Sequence, residues 1–405
     1  MTDARNPPSY RNVHYKVDTE YTVQVAKNLL TPLGVWPLHR GDLFLDNVKS
    51  FVHIGTIFSL MCFLLIPHII YTYHDVEDLT RYMKVIAAQV FSFLAIAKFW
   101  TMVINKKDIR FCLTEMEAHY RDVECEEDRL VMKNSAKVGR FFTTLYLGLA
   151  YGGALPYHII LPLMSERIVK ADNTTQIPLP YLSNYIFFVI EDSPIYEITF
   201  VSQIVISSII LSTNCGIYSL IATIAMHSCG LFVVVGRQLD TLLEYKQDKL
   251  YDRLRNIILH HLKAIEFADT IEMALSTVFL LEMVGCTIII CFLEYGVIME
   301  WEDHKILSMM TYVVLMTSIF VNVFIICFIG DCLKQESEKV GETSYLLSWY
   351  DLPEDIIKSL KMIIVRTSRP ANLSASKLFE LSLQAFCDVC KTSAAYLNFL
   401  RTMTS

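Results

Sequence analysis

The last apolar segment of the chain contains an ionisable pair whose spacing indicates one helix face. Asp388 and Lys391 lie three positions apart within residues 376–401, and polar or small residues continue this face at steps of three and four: Gln384, Asp388, Lys391, Ala395, Asn398 and Thr402. Ionisable groups at membrane depth are costly unless they contact water or a charged partner. The pattern predicts either a water-filled path along this helix or an Asp388–Lys391 ion pair near the inner headgroups.

The sequence contains no constellation typical of an enzyme or a metal site. It has no P-loop, no G-x-S-x-G, no H-E-x-x-H and no glycine-rich nucleotide turn, so neither catalysis nor a cofactor is expected. Cys387 and Cys390 form a C-x-x-C within an apolar helix and are interpreted as packing residues. His260 and His261 are adjacent but lack a carboxylate or cysteine array, so no metal is expected. The net charge of −7 argues against a nucleic-acid partner.

Composition and the lengths of the apolar runs predict an all-α membrane protein. Of the 405 residues, 53% are hydrophobic and only 19% are charged, and the mean hydropathy is +0.39. A helix needs about 20 residues to cross a bilayer. Seven runs reach that length: 48–71, 82–104, 137–164, 193–231, 273–296, 307–330 and 376–401. Lys98 and Glu282 lie inside two of these runs, where a buried ion pair or snorkelling toward the inner surface would satisfy them.

The run at 193–231 leaves two topologies open. It could form two spans broken at Asn214, Cys215 and Gly216, or one long helix that projects into water. Lys and Arg are enriched in cytoplasmic loops. The single helix is favoured because it collects the basic residues on one side of the membrane, in segments 1–47, 105–136, 232–272 and 331–375. This topology places the N-terminus in the cytoplasm and the C-terminus outside the cell.

The cytoplasmic segments are amphipathic rather than plain linkers. Leucine and isoleucine recur at steps of three and four through 239–275, so the fourth and fifth helices are expected to continue past the bilayer and pack together. The predicted organisation is therefore a cytoplasmic N-terminal segment (1–47), six transmembrane helices (48–330), a cytoplasmic segment (331–375) and a final helix (376–405).

Glycosylation sequons provide a check on this orientation. Asn173 begins an Asn-Thr-Thr sequon in a predicted outer loop and is a plausible acceptor. Asn372 begins an equally good sequon on the predicted inner face, so we expect it to stay unmodified. G-protein-coupled receptors have the opposite orientation, and none of the cysteines here falls in a predicted outer loop.

Four motifs together resemble the insect odorant receptor family. They are "LGVWP" at 33–37, "YLLSWYDLP" at 345–353, "RTSRP" at 366–370 and "LFELSLQAFCDVCKTSAAYLNFL" at 378–400. With the seven spans, the resemblance covers essentially the whole chain. Related gustatory receptors end in T-Y-x5-Q-F, whereas Tyr396 is followed here by Thr402 and Met403 at the matching positions, which favours the odorant branch.

The resemblance implies an odorant-gated, non-selective cation channel of four subunits in the plasma membrane of a sensory-neuron dendrite. Its last helix would line the pore, and its cytoplasmic helices would form an anchor domain. The second cytoplasmic segment, 232–272, lacks the long insertion typical of the co-receptor, so the chain looks like a tuning subunit that assembles with co-receptor subunits into a heterotetramer. The implied partners are a volatile organic ligand, cations and the lipid bilayer. A G-protein-coupled chemoreceptor, a gustatory-type channel and a carrier remain as alternatives.

Two sets of site residues follow from the resemblance. The pore and gate would involve Asn398, Phe399 and Met403 near the outer end of the last helix, with Asp388 and Lys391 below them. The odorant pocket would lie in the outer half of the membrane among the second, third, fourth and sixth helices, where aromatic and apolar residues suit a volatile ligand. The candidates are Phe91, Leu94, Tyr151, Tyr157, Tyr196, Phe200 and Tyr312. For each of them, core packing or lipid contact is the competing interpretation.

Overall fold

The computed structural model describes residues 12–37, 44–74, 79–164, 167–169, 175–185, 190, 193–245 and 247–404. The helices are α1 (Tyr15–Leu30), α2 (Phe44–His74), α3 (Leu79–Ile104), α4 (Lys106–Arg121), α5 (Glu126–Leu155), α6 (Leu161–Met164), α7 (Ile195–Asp240), α8 (Gln247–Glu302), α9 (Ile306–Leu346), α10 (Glu354–Thr367) and α11 (Leu383–Thr404). A π-helix, Pro156–Ile160, joins α5 to α6, and 3-10 turns Leu242–Glu244 and Trp349–Asp351 follow α7 and α9. Strands β1 (Ile168–Val169) and β2 (Thr175–Gln176) pair antiparallel, as do β3 (Ser374–Ala375) and β4 (Phe379–Glu380).

Every predicted transmembrane run corresponds to a helix. Six helices in the described part of the chain are long and apolar enough to cross a membrane: α2, α3, α5 with its continuation to Met164, α7, α8 and α9. The seventh, α11, has 22 residues, which is about 33 Å of helix and also enough to span the hydrocarbon layer. The protein is therefore an all-α, multi-pass membrane protein. The predicted start of the last helix at 376 is wrong, because the β3–β4 hairpin occupies that segment and α11 begins at Leu383.

The ambiguous fourth run is one continuous helix, α7. The side chains of Thr213 and Asn214 bond back to the carbonyls of Ile209 and Ile210, at 2.8 and 3.2 Å, and so stay within the helix. Gly216 provides room for α1 instead of a break, since a Cβ at this position would lie 2.7 Å from Leu30 Cδ2. The single-helix prediction is confirmed.

Three helices are far longer than a bilayer requires. α7, α8 and α9 contain 46, 56 and 41 residues, whereas about 20 suffice to cross the hydrocarbon core. Their continuations pack with α1, α4 and α10 into one extended helical body with a continuous core. The prediction that the fourth and fifth helices extend beyond the membrane is confirmed by these lengths.

The hairpin before α11 is attached to two of the long helices. Ser374 donates hydrogen bonds to Glu272 of α8 from its backbone N–H, at 2.8 Å, and from its hydroxyl. On α9, Gly330 lets the carbonyl of Leu381 approach the helix closely, and any side chain at Gly330 would collide with it. These contacts fix where the chain turns into α11.

Candidate ligand-binding site

A cavity of about 80 Å³ lies among α3, α5, α7, α8 and α9. A single water molecule needs about 10–15 Å³ of such space, so the cavity has room for a small organic molecule. Among the described residues its wall contains no Asp, Glu, Lys or Arg and is formed mainly by aliphatic side chains and by the rings of Phe91, Tyr146, Tyr157, Tyr181 and Tyr312. A charged ligand would lose its hydration here without gaining a counter-charge, whereas a neutral apolar ligand suits the wall.

The π-helix turns two consecutive side chains toward this cavity. Pro156 opens the wide turn, and both Tyr157 and His158 then line the wall; such single π turns are frequent at functional sites. His158 Nδ1 lies 2.7 Å from the carbonyl oxygen of Ala154, which can only accept, so Nδ1 carries the proton. In the neutral ring, Nε2 is then an acceptor, and it accepts a hydrogen bond of 2.6 Å from the hydroxyl of Tyr181. Tyr181 is thereby fixed as a donor to the protein.

Tyr181 covers the cavity from the segment between α6 and α7. Its backbone is held by Gln203 of α7, which accepts from the Tyr181 N–H and donates to the Tyr181 carbonyl, both at 3.0 Å. Gln203 is fully buried, and nearby the N–H of Asn184 donates to the carbonyl of Pro67 on α2. The segment is therefore bonded into the helical bundle instead of lying loosely over it.

A buried polar cluster lies one to two helical turns below the cavity. Lys98 of α3 and Glu282 of α8 form an ion pair at 2.6 Å, and their side chains are only 6% and 4% exposed. The second oxygen of Glu282 accepts from Cys286 Sγ at 3.2 Å and from the amide of Asn322 on α9. Tyr218 of α7 donates its hydroxyl to the Asn322 carbonyl. Of the two arrangements considered for Lys98 and Glu282, the structure has the buried pair.

A second cavity, of about 60 Å³, lies toward the opposite end of α7, between α4, α5, α7 and α8. Gln238 donates to Asp128 at 2.9 Å and accepts from His260 Nδ1 at 2.9 Å. Burial lowers the pKa of His119, on the α4 side of this cavity, to about 4. No group of three or more metal-binding side chains is assembled within the described part of the chain.

The comparison with known proteins identifies the family. A model of the family described as 7tm Odorant receptor matches residues 78–394 of this chain. The chain belongs to the 7tm odorant receptor family. Such a protein is a chemosensory membrane receptor and not an enzyme.

Relatives and solved structures agree with this assignment. The receptor is 21% identical to putative odorant receptor 92a of Drosophila melanogaster, over 77% of this chain and 76% of the relative. Odorant receptor 82a of the same species is 20% identical over 90% of this chain and 96% of its own length. The structure of the olfactory receptor OR5 from Machilis hrabei in complex with eugenol superposes with a TM-score of 0.81 at 13% identity, over 96% of this chain and 100% of that one. The receptor thus shares the OR5 fold.

The structure brings three of the seven candidate pocket residues together. Phe91, Tyr157 and Tyr312 line the cavity, and the rings of Tyr157 and Tyr312 meet edge to face at 6.4 Å. Within the described part of the receptor, we find no hydrogen bond from the hydroxyl of Tyr157 or of Tyr312. The hydroxyls are therefore available to a ligand.

The other four candidates lie outside the cavity wall. Leu94 is buried and packs against Gly285 of α8. Tyr151 shares a hydrogen bond of 2.7 Å with Ser212. Tyr196 donates to the carbonyl of Ile177 at 2.6 Å, and its ring lies 6.1 Å from that of Phe200. Leu94 is therefore a core-packing residue, as the competing interpretation has it. Tyr151 and Tyr196 form hydrogen bonds to neighbouring segments of the protein.

Several lining residues were missed by the sequence interpretation. Tyr146 and Tyr181 are almost fully buried aromatic residues of the wall, and α8 contributes Ile289 and Leu293 although the pocket was not expected to reach the fifth transmembrane helix. The proline at 156 within an otherwise helical run was the available signal for His158, because it marks an irregular turn.

The polar stripe of α11 lies on its exposed face. Asp388 and Lys391 are 3.4 Å apart and their side chains are 59% and 73% exposed. Asn398 and Phe399 are also exposed, while Val389 and Ser393 on the opposite face are buried against α8 and α9. The side chain of Met403 and the whole of Asn173 lie outside the described residues.

Proposed function

We propose that this receptor is a tuning subunit of an odorant-gated, non-selective cation channel, and that the cavity lined by Phe91, Tyr157 and Tyr312 is its odorant site. The observation that supports the site is an uncharged wall of aliphatic and aromatic side chains that includes two tyrosine hydroxyls with no hydrogen bond to the described part of the protein. A neutral volatile molecule with one acceptor oxygen fits this chemistry, because it buries apolar surface and satisfies a donor. The similar receptor OR5 was solved in complex with eugenol, a small neutral molecule with oxygen atoms that can form hydrogen bonds.

Pore formation is assigned to α11. Its exposed stripe of Asp388, Lys391 and Asn398 would face water along a central axis, and Phe399 and Met403 would narrow the outer end. The short segment 232–272 supports a tuning role with co-receptor subunits in a heterotetramer. The plasma membrane of a sensory dendrite is the corresponding location. Segments 1–47 and 331–375 would be cytoplasmic, the latter contributing to the anchor between subunits.

The test is whole-cell current in cells that express the receptor with and without a co-receptor, challenged with esters, ketones, alcohols, amines and carboxylic acids. The proposal is supported if a rapid cation current requires both chains and persists when G-protein signalling is blocked. For an activating ketone or ester, Tyr312→Phe should raise the half-maximal concentration about five-fold, since one hydrogen bond of about 1 kcal/mol is lost. Tyr120→Phe, which removes the buried hydroxyl bonded to Thr22 far from the cavity, is the matched control. Equal shifts in both variants would contradict the assigned site.

The orientation has its own test. Asn173 is expected to be glycosylated and Asn372 unmodified, so removal of N-glycans should shift the mass of the wild type and of Asn372→Gln but not of Asn173→Gln. Asn372 donates to Glu380 at 2.8 Å, so its side chain is also engaged within the protein. A glycan on Asn372 would reverse the assigned orientation.

A further inference from the structure

The floor of the cavity contacts the buried polar cluster directly. Tyr146 lines the cavity, and its ring centroid lies 4.7 Å from that of Tyr218, with the planes inclined by 45°. Tyr146 and Tyr218 are almost fully buried, so displacement of one ring is expected to disturb the packing of the other. Any ligand that presses on Tyr146 therefore acts on Tyr218.

The cluster also leads from Tyr218 to the helix that we assign to the pore. Tyr218 donates to the carbonyl of Asn322 on α9, one turn from the lining residue Ser318. Two positions further along α9, the ring of Phe324 lies 5.5 Å from that of Phe386 on α11, edge to face. A shift of α9 at Asn322 would thus reach α11 through Phe324.

The bonds within the cluster favour two discrete arrangements over a gradual deformation. Asn322 holds α7 through its carbonyl and α8 through its amide, and the amide is bonded to the same carboxylate that pairs with Lys98. An unpaired polar group in this buried site is costly, and within the described chain the Oδ1 of Asn322 has no hydrogen-bond partner and can serve as an alternative acceptor. A change in one bond is therefore expected to rearrange the others, which is the property a switching element needs.

We propose that the polar cluster of Lys98, Glu282, Asn322 and Tyr218 transmits occupancy of the cavity to α11. The inference rests on the proposed function, because it assumes that the cavity is the odorant site. Tyr218 acts as a positioning residue: it does not line the cavity, and its hydroxyl links the ring that the ligand moves to the α9 backbone. Its loss should weaken gating without weakening occupancy.

A tethered probe separates occupancy from gating. Ser207 of α7 lines the cavity, and Ser207→Cys changes one atom there. Benzyl methanethiosulfonate converts that thiol to a benzyl disulfide and releases methanesulfinate, so a neutral aromatic group is fixed in the cavity. The receptor is expressed with a co-receptor, current is recorded before and after treatment, and the modified fraction at the cell surface is measured by mass spectrometry. The receptor without Ser207→Cys controls for reaction at its own cysteines.

The expected result is a change in current on modification of Ser207→Cys, and a change about five-fold smaller when Tyr218→Phe is added at the same modified fraction. Tyr120→Phe in the same background should leave the change as it was. An equal change in current with and without Tyr218→Phe would overturn the inference while leaving the odorant site intact. No change in the Ser207→Cys receptor at full modification would instead refute the odorant site, and the inference with it.

Discussion

Neutralising one member of the Lys98–Glu282 pair should destabilise the receptor far more than neutralising both. The two charges are 2.6 Å apart and their side chains are 6% and 4% exposed. Lys98→Met leaves the Glu282 carboxylate buried without its cation, and Glu282→Gln leaves the ammonium group unpaired. Either change should cost about 3–5 kcal/mol, whereas the double variant should recover most of that loss because no isolated charge remains.

The exposed pair on α11 provides the control for this experiment. Asp388 and Lys391 lie 3.4 Å apart with side chains 59% and 73% exposed, so Lys391→Met should cost only about 0–1 kcal/mol. The assay is the thermal midpoint of the purified receptor in nanodiscs, followed by loss of the monodisperse fraction, for wild type, both single variants and the double variant. If Lys98→Met lowers the midpoint no more than Lys391→Met does, the pair is hydrated and the reasoning is refuted. A double variant as unstable as the sum of the singles would show that the two groups do not interact.

Two further substitutions probe how the remaining helices are held. Gly330→Ala should prevent the Leu381 carbonyl from approaching α9, so surface expression and evoked current should fall together; Gly236→Ala, which has open space around it on α7, should leave both unchanged or slightly improved. Burial raises the pKa of the Asp18 carboxyl, but its bonds with Arg129 and other donors outweigh burial and hold that pKa below the usual 3.8. Asp18 thus adds stability that is present above pH 3.8 and lost as pH falls through its lowered pKa, so the thermal midpoint of wild type should exceed that of Asp18→Asn at pH 7 and the difference should shrink on acidification.

The transmembrane helices were predictable because length and hydropathy are local properties of the sequence. The distribution of basic residues correctly favoured a continuous α7. The role of Gly216 could not be predicted, because it depends on contact with Leu30 of a distant helix. The start of α11 was missed for the same reason. Ser374 is positioned by Glu272, and Leu381 is positioned by Gly330. The sequence pattern within 376–383 does not indicate either of these contacts.

Aromatic character at the expected depth predicted part of the cavity wall, including Tyr157 in the π-helix. Phe91 and Tyr312 lie on regular helices at the expected depth and line the wall. Tyr196 and Phe200 have the same aromatic character and the same helical spacing, yet they lie outside the wall. Tyr181 lies in a segment without regular secondary structure, and the side chain of Gln203 holds its backbone in position. The two residues are 22 positions apart, so helical periodicity does not predict their contact.

The exposed face of α11 presents an energetic problem that an assembly resolves. Its inner face, with Val389 and Ser393, is packed against the body of the receptor, while Asp388, Lys391 and Asn398 are exposed and left uncovered by the described part of the chain. Lipid tails offer these groups no hydrogen bonds, so the stripe must meet water or another subunit. Arranging subunits around an axis supplies both at once, because each α11 then faces a shared aqueous path and its neighbours cover the flanks. The cost of leaving this one helix against lipid therefore supports the proposed role of α11 in the pore.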